Sequence, residues 1–142
     1  MENYSQVNDY PVGDYLVIVK SVEGAGAGSK TISLQPTAQG IEDIIIACFA
    51  YHNDATARAL QWQIYDATNT TTMILESSGA VAAYIKHSLF NVSAGLDRGR
   101  IHFSMPPKAT RQVYPQVVFT DLDAGDFGYV HALVLRRYGL AA

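Results

Sequence analysis

The segment that comes nearest to a catalytic motif is GAGAGSKT, Gly24 to Thr31, which follows the apolar run YLVIV. Phosphate-binding loops of nucleotide hydrolases read G-x-x-x-x-G-K-[ST] between a strand and a helix, and their backbone amides converge on the phosphates. Here Ser29 stands where the second glycine belongs, and Pro36 follows too soon for a helix to form. The sequence therefore predicts a glycine-rich hairpin loop that binds no nucleotide.

A second candidate for chemistry is TDLDAGD, in which Asp121 and Asp123 have the spacing that opens a calcium-binding loop. Gly125 and Asp126 stand in exchanged positions, and no glutamate occupies the twelfth position. Asp121, Asp123 and Asp126 are the candidate metal ligands of the chain. Asp and Gly residues together are also what a tight turn requires, so the sequence favours a hairpin turn with solvated carboxylates over a metal site.

The other reactive side chains are scattered along the sequence. His52, His87, His102 and His131 lack the short spacings of metal sites on one strand or helix, so they are predicted to be surface or interface residues. Cys48 lies inside the apolar run IIIACFAY and is predicted to be a buried, unreactive thiol. Since no G-x-S-x-G elbow is present either, we expect no enzyme and no cofactor.

The elements that must position these residues belong to one domain, because the chain has 142 residues. Apolar residues make up 49% and charged residues only 16%, which is below the usual quarter, so much of the surface must be uncharged. A net charge of −3 argues against a nucleic-acid partner. The longest apolar run is too short to cross a bilayer, so no membrane partner is expected.

From Asp14 onward the chain reads as short strands separated by turn residues. RALQWQIYD places Leu60 and Trp62 on one face of a half-buried strand, which predicts that both lie in the core, and GRIHFSM alternates in the same way. VYPQVVFTD and FGYVHALVLRR are two further strands, and Pro115 predicts that the former lies at an edge or carries a bulge. AVAAYIKHSLFNV fits a short helix and a strand about equally, so this segment is left open.

This spacing of strands and turns predicts an all-β fold, a single antiparallel β-sandwich or jelly-roll-like domain over residues 14–142. Residues 1–13 are polar and precede the first strand. They are either a frayed terminus or an arm that a neighbouring subunit orders, with Tyr4, Val7, Tyr10 and Pro11 as its apolar anchors.

The segment IEDIIIACFAY is apolar on both faces, unlike the other strands. Strict alternation places Ile44, Ile46, Cys48 and Ala50 on one face and Ile45, Ala47, Phe49 and Tyr51 on the other. One set faces the sandwich core, and the other needs a cover, either the segment 80–90 or another copy of the chain. We therefore expect a homo-oligomer with Ile45, Phe49 and Tyr51 as interface candidates.

The stretch AYHNDATARALQWQIYDATNTTTMILESS runs as a strand, an HND turn, a strand with a tryptophan and a threonine-rich turn. From Asp14 to Arg137 the chain resembles the small β-sandwich virion proteins of tailed bacteriophages, and it is similar to their trimeric capsid decoration (cement) proteins. The resemblance covers most of the chain through its size, turn composition and low charge, and it carries over no site residue. It implies trimers on the capsid exterior that reinforce contacts between subunits of the major capsid protein, without catalysis.

Other functions remain open at this point. Head-fibre, tail and receptor-binding proteins have the same sequence features. A carbohydrate-binding β-sandwich module is a further alternative, in which Trp62 and exposed tyrosines would stack on a sugar ring. The alternation around Trp62 argues against that role for the tryptophan.

Overall fold

The computed structural model describes residues 13–88 and 108–139. These residues form nine strands, and no helix occurs among them. The strands are β1 (Asp14–Glu23), β2 (Lys30–Ser33), β3 (Glu42–His52), β4 (Arg58–Asp66), β5 (Thr71–Val81), β6 (His87–Ser88), β7 (Lys108–Ala109), β8 (Val113–Phe119) and β9 (Phe127–Arg137). Residues 1–12 of the predicted arm and the predicted strand GRIHFSM, with His102, lie outside the described residues.

The strands form two antiparallel sheets packed face to face, as the sequence predicts. The first sheet has the order β1-β9-β3-β6, with β7 also paired to β3, and the second has the order β2-β8-β4-β5. Ile45 and Val130 from the first sheet meet Leu60, Trp62 and Phe119 from the second in a core where each is at most 2% exposed. The predicted β-sandwich and the predicted burial of Trp62 are both confirmed.

The segment 80–90 is not a helix where the structure describes it. Ala80 and Val81 end β5, a turn follows with Tyr84 at a φ of 64°, and His87 begins β6. A residue with positive φ interrupts a right-handed helix, and β6 pairs with β3 instead. The helix alternative is therefore wrong over residues 80–88.

A β-bulge in β3 changes which side chains of this strand face the core. The register against β9 shifts between Ile45 and Ala47, so one extra residue, Ile46, interrupts the alternation. Ile45 and Cys48 consequently point into the core, where they are 0% and 3% exposed. Strict alternation places Ile45 on the same face as Phe49. Because the bulge turns Ile45 into the core, the prediction that Ile45 is an interface residue is wrong.

Pro115 lies in an interior strand, contrary to the edge position that the sequence favoured. Its strand, β8, runs between β2 and β4. The carbonyl of Pro115 accepts a hydrogen bond from the amide of Leu34, just past the end of β2 at Ser33. The nitrogen of Pro115 faces the same side of β8 as its carbonyl. Because the regular pairing with β2 ends at Ser33, the missing N–H of Pro115 breaks no hydrogen bond between the two strands.

Two connections that the sequence read as hairpins are crossings between the sheets. The glycine-rich loop after Glu23 leads from β1 in the first sheet to β2 in the second. The acidic loop after Phe119 leads from β8 in the second sheet to β9 in the first. Both hairpin predictions are wrong, because turn residues indicate a reversal of the chain but not which sheet the next strand joins.

Candidate functional site

The glycine-rich loop packs against the acidic loop through its own backbone amides. The amide of Gly24 donates to the carbonyl of Asp126 at 2.8 Å, that of Gly26 to Leu122 at 2.9 Å, and that of Gly28 to Asp121 Oδ1 at 2.8 Å. A phosphate would need these same donors together with a following helix, and strand β2 follows instead. The loop therefore serves as a structural connection.

The acidic loop brings two of the three candidate metal ligands together and leaves the third apart. Carboxylate oxygens of Asp123, Asp126 and Asp54 lie within 4.8 Å of one another. Asp121 is not in this group, because its carboxylate accepts the amide of Gly28. Asp54 was not among the predicted ligands, although the turn HNDAT that contains it stood out in the sequence.

A guanidinium group fills the place that a cation would take among these carboxylates. Arg58 donates through Nε to Asp54 Oδ2 and through Nη2 to Asp123 Oδ1, both at 2.9 Å. Asp54 is fully buried, and it also accepts the amides of Thr56 at 2.8 Å and of Asp123 at 2.9 Å. In this Asp54 cluster, formed by Asp54, Arg58, Asp123 and Asp126, Arg58 joins the buried Asp54 to the exposed Asp123, and we propose no metal site there.

The hydrogen bonds within the cluster also determine the ionisation of Asp54. Burial alone would raise the pKa of this carboxyl. The amides of Asp123 and Thr56 and the guanidinium of Arg58 outweigh burial and hold the pKa at about 2. Asp54 is thus a carboxylate at neutral pH, and it ties the 53–57 turn to the acidic loop.

His52 is buried next to this cluster, although a surface position was predicted. It is 1% exposed, its Nε2 lies 2.8 Å from the carbonyl of Val81, and its Nδ1 accepts the amide of Asp54 at 3.0 Å. This pattern requires the proton on Nε2, so the ring bridges the end of β3 to the end of β5. His52 acts as a structural cross-link, and its surface assignment is wrong because pairing between distant strands encloses it.

The largest feature without a structural explanation is the outer face, defined as the side of the first sheet that points away from the core. The pairing register places its side chains in rows across β1, β9 and β3. The rows are Tyr15, Leu135 and Ile44; Val17, Leu133 and Ala47; Val19, His131 and Phe49; and Ser21, Tyr129 and Tyr51. None of these residues is an acid, a lysine or an arginine, so these rows are apolar and aromatic, and the next row beyond Ile44 is the ion pair of Glu42 with Arg137.

One end of the outer face is aromatic. Phe49 stacks on His131 with ring centroids 5.0 Å apart, and Tyr51 stacks on Tyr129 at 4.9 Å. The hydroxyl of Tyr51 lies 3.2 Å from Nε2 of His131, and the ammonium of Lys86 lies 4.8 Å from the centre of the Phe49 ring. Phe49 and Tyr51, two of the predicted interface candidates, therefore lie on this face, and both are half-buried by their neighbours.

The other end of the outer face is aliphatic and much more exposed. Tyr15 is 68% exposed, Val17 is 72%, Val19 is 60% and Leu133 is 37%. A shallow depression of about 250 Å³ lies beside them, at the position where the bulge places the small side chain of Ala47. Side chains of this type are normally covered in a finished structure, and no described residue packs over them.

The remaining sequence candidates have no functional arrangement in the described chain. His87 is half-buried, and its pKa is lowered by burial and, in addition, by the nearby His52. Burial raises the pKa of the Cys48 thiol to about 12, consistent with the predicted unreactive residue. The arm candidates Tyr4, Val7, Tyr10 and Pro11 lie outside the described residues.

Comparison with known proteins adds no assignment. No family model matches the chain, and no curated protein is significantly similar to it in sequence. Across residues 13–88 and 108–139, no helix is long and apolar enough to cross a membrane. The outer face is therefore the candidate functional site on its geometry alone.

Proposed function

We propose that the protein is a structural subunit of a virion, a capsid decoration protein that binds on the capsid exterior between subunits of the major capsid protein. The observation that supports this role is the outer face, whose side chains Tyr15, Val17, Val19 and Leu133 are exposed and are covered by no described residue. A patch of this extent and composition is typical of a protein that other protein surfaces cover in its working state.

The low charge of the chain supports the same proposal. Charged residues make up 16% of the sequence, whereas soluble monomers usually carry about a quarter. A subunit that is largely enclosed by its neighbours requires fewer solvated side chains. In both loops that resembled a catalytic motif, groups that the chemistry would require make structural contacts instead, namely the amides of Gly24, Gly26 and Gly28 and the carboxylate of Asp121, which supports a binding role over an enzymatic one.

The arrangement of aromatic side chains makes the carbohydrate-binding alternative less attractive. Trp62, which would have been the stacking platform, is 2% exposed. Tyr51 and Tyr129 stack with centroids 4.9 Å apart and ring planes 20° apart, so each ring covers part of the face of the other. Sugar stacking needs open ring faces, which these rings do not both offer.

Attachment to the capsid is proposed to involve residues 1–13. Their apolar side chains Tyr4, Val7, Tyr10 and Pro11 would anchor the chain on a neighbouring capsid subunit, because a few buried aromatic residues dominate the affinity of such contacts. This part of the proposal depends on the sequence, since the segment lies outside the described residues.

The test is binding of the purified full-length chain to heads of the encoding virus that lack it, measured by co-sedimentation. We expect saturable binding at a fixed ratio to the major capsid protein. A Tyr4→Ser/Tyr10→Ser variant should bind at least ten-fold more weakly, while the matched Gln6→Ser/Asn8→Ser variant should bind normally. Failure of the full-length chain to bind would refute the proposed function, and equal binding of both variants would refute the arm alone.

A further inference from the structure

The outer face combines a protruding end with a recessed centre, and this shape indicates what covers it. Tyr15 and Val19 of β1 stand out at 68% and 60% exposure. The depression lies one strand further across the sheet, and it is lined by Val17, Ala47, Phe49, His131 and Leu133. A face that carries an exposed aromatic ring and an apolar recess has the two elements that a self-complementary contact between copies uses.

The electrostatics of the outer face also permit self-association. Its four rows contain no acidic or basic residue other than His131, and Lys86 lies only beside the Phe49 ring. Two copies can therefore meet without opposing like charges, even though each chain carries a net charge of −3. The charged side chains at the Ile44 end of this side of the sheet, Glu42, Arg137 and Lys108, pair with one another, so they offer little to a charged partner.

The size of the outer face is sufficient for a specific contact. An aromatic side chain offers ~150–250 Å² and a branched aliphatic one somewhat less, so the exposed fractions on this face add up to several hundred Å². That area is on the order of the ~800 Å² that each partner buries in a standard interface. Apolar patches of ~300–600 Å² on monomers are often functional sites, so an area of this order supports a binding role.

From shape, charge and area together, we propose that the outer face is the contact between copies of this chain, with Tyr15 of one copy seated in the depression around Ala47 of the next. This inference rests on the proposed function in one respect, namely that the chain works as an oligomeric subunit. Two assemblies contain this contact. One is a two-fold dimer in which each copy inserts Tyr15 into the depression of the other, and the other is a closed ring of copies.

The test uses full-length protein and compares substitutions on and off this face. Light scattering on the unaltered chain should give a whole multiple, greater than one, of the 15.5 kDa chain mass. Tyr15→Lys and Ala47→Glu should each weaken association at least ten-fold, because each places a charge in the apolar contact. Met73→Lys is the matched control, since Met73 is 52% exposed on the second sheet, and it should leave the mass unchanged.

An equimolar mixture of the two face variants distinguishes direct contact from damage to the fold. If Tyr15 sits beside Ala47 of the next copy, the new lysine meets the new glutamate, and the mixture should associate more tightly than either variant alone. Absence of this rescue would overturn the proposed pairing of Tyr15 with Ala47.

Two further outcomes would overturn the proposal as a whole. One is an unaltered chain that stays monomeric at micromolar concentration. The other is that the unaltered chain is a monomer and Tyr15→Lys lowers its urea midpoint of unfolding. That result would mean that residues of the same chain, outside the described part, cover Tyr15. Binding to viral heads is measured separately by co-sedimentation, so failure of this inference and failure of the proposed function can be told apart, although a face covered by the chain itself would remove one support of the proposed function.

Discussion

Replacement of Asp54 by alanine should be among the most damaging single changes in this protein. The carboxylate is fully buried, and it accepts hydrogen bonds from the amides of Thr56 and Asp123 and from Nε of Arg58. Each such bond to a charged group is worth about 1.5–3 kcal/mol, and the three are not additive. Because the change also leaves the largely buried guanidinium of Arg58 without this partner, we expect a loss of about 3–5 kcal/mol in the free energy of unfolding.

The chain supplies a matched control for this prediction. Asp66 also accepts hydrogen bonds from two backbone amides, those of Thr68 and Asn69, and from the side chain of Asn69. Its hydrogen bonds are exposed, and no guanidinium is involved. Asp66→Ala should therefore lower the urea midpoint of unfolding far less than Asp54→Ala does.

Urea unfolding followed by fluorescence of Trp62, the single tryptophan, measures both variants. Asp54→Ala should move the midpoint far to lower urea with an unchanged slope, and Asp66→Ala should move it little. If the two variants lost the same stability within about 0.5 kcal/mol, the reasoning that burial and Arg58 give Asp54 its importance would be refuted.

The pH dependence of the free energy of unfolding tests the role of Asp54 in a second way. The folded protein holds the pKa of Asp54 at about 2, below its ordinary value of 3.8. Its contribution to stability is therefore fully present above pH 3.8 and is lost as the pH falls through about 2. The stability gap between the unaltered chain and Asp54→Asn should be constant near neutral pH and should narrow only in that acid window.

Three further predictions concern other parts of the fold. Trp62→Ala should cost roughly 3–5 kcal/mol, and the native fluorescence of Trp62 should be blue-shifted; emission typical of an exposed indole would contradict its burial. Cys48 should react with a thiol reagent only as fast as the protein unfolds, because burial raises its pKa to about 12. Calorimetric titration with ATP and magnesium should give no heat of binding to the loop Gly24–Thr31, whereas sub-millimolar affinity would overturn the structural role of its amides.

The type of fold could be predicted because the features that indicate it, alternation and turn residues, lie within short segments of the sequence. Alternation of apolar and polar residues specifies half-buried strands, and the burial of Leu60 and Trp62 follows from it directly. Frequent turn residues between short strands then favour a sandwich. Nothing beyond neighbouring residues is needed for these conclusions.

The errors arose where strands that are distant in sequence determine the outcome. A one-residue bulge in β3 moves Ile45 from the outer side to the core, and strict alternation cannot reveal where such a bulge lies. Pro115 is tolerated in an interior strand because β2 happens to end beside it. The burial of His52 and the assembly of the Asp54 cluster likewise depend on which loops meet at one end of the sandwich.

The outer face was predicted only in part. Phe49 and Tyr51 were identified because their strand is apolar on both sides. Val17 and Val19 were not, since the sequence did not reveal that β1 would lie beside β9 with these side chains outward. The signal was present in the unbroken apolar run YLVIV, which is typical of a strand covered on both faces.

The pairing of the first strand with the last one has a consequence for how the protein is made. Among the described strands, β1 pairs with β9 alone, from Asp14 opposite Arg136 to Glu23 opposite Phe127, so the pairing closes a loop of roughly a hundred residues. Closing such a loop costs about 4 kcal/mol in chain entropy before any contact repays it. β9 also lies between β1 and β3, so on the ribosome the first sheet remains open at its centre until β9 emerges. This sheet can therefore form only after β9 has emerged, and the nascent chain exposes its β1 and β3 strands while the strands between β3 and β9 are being synthesised.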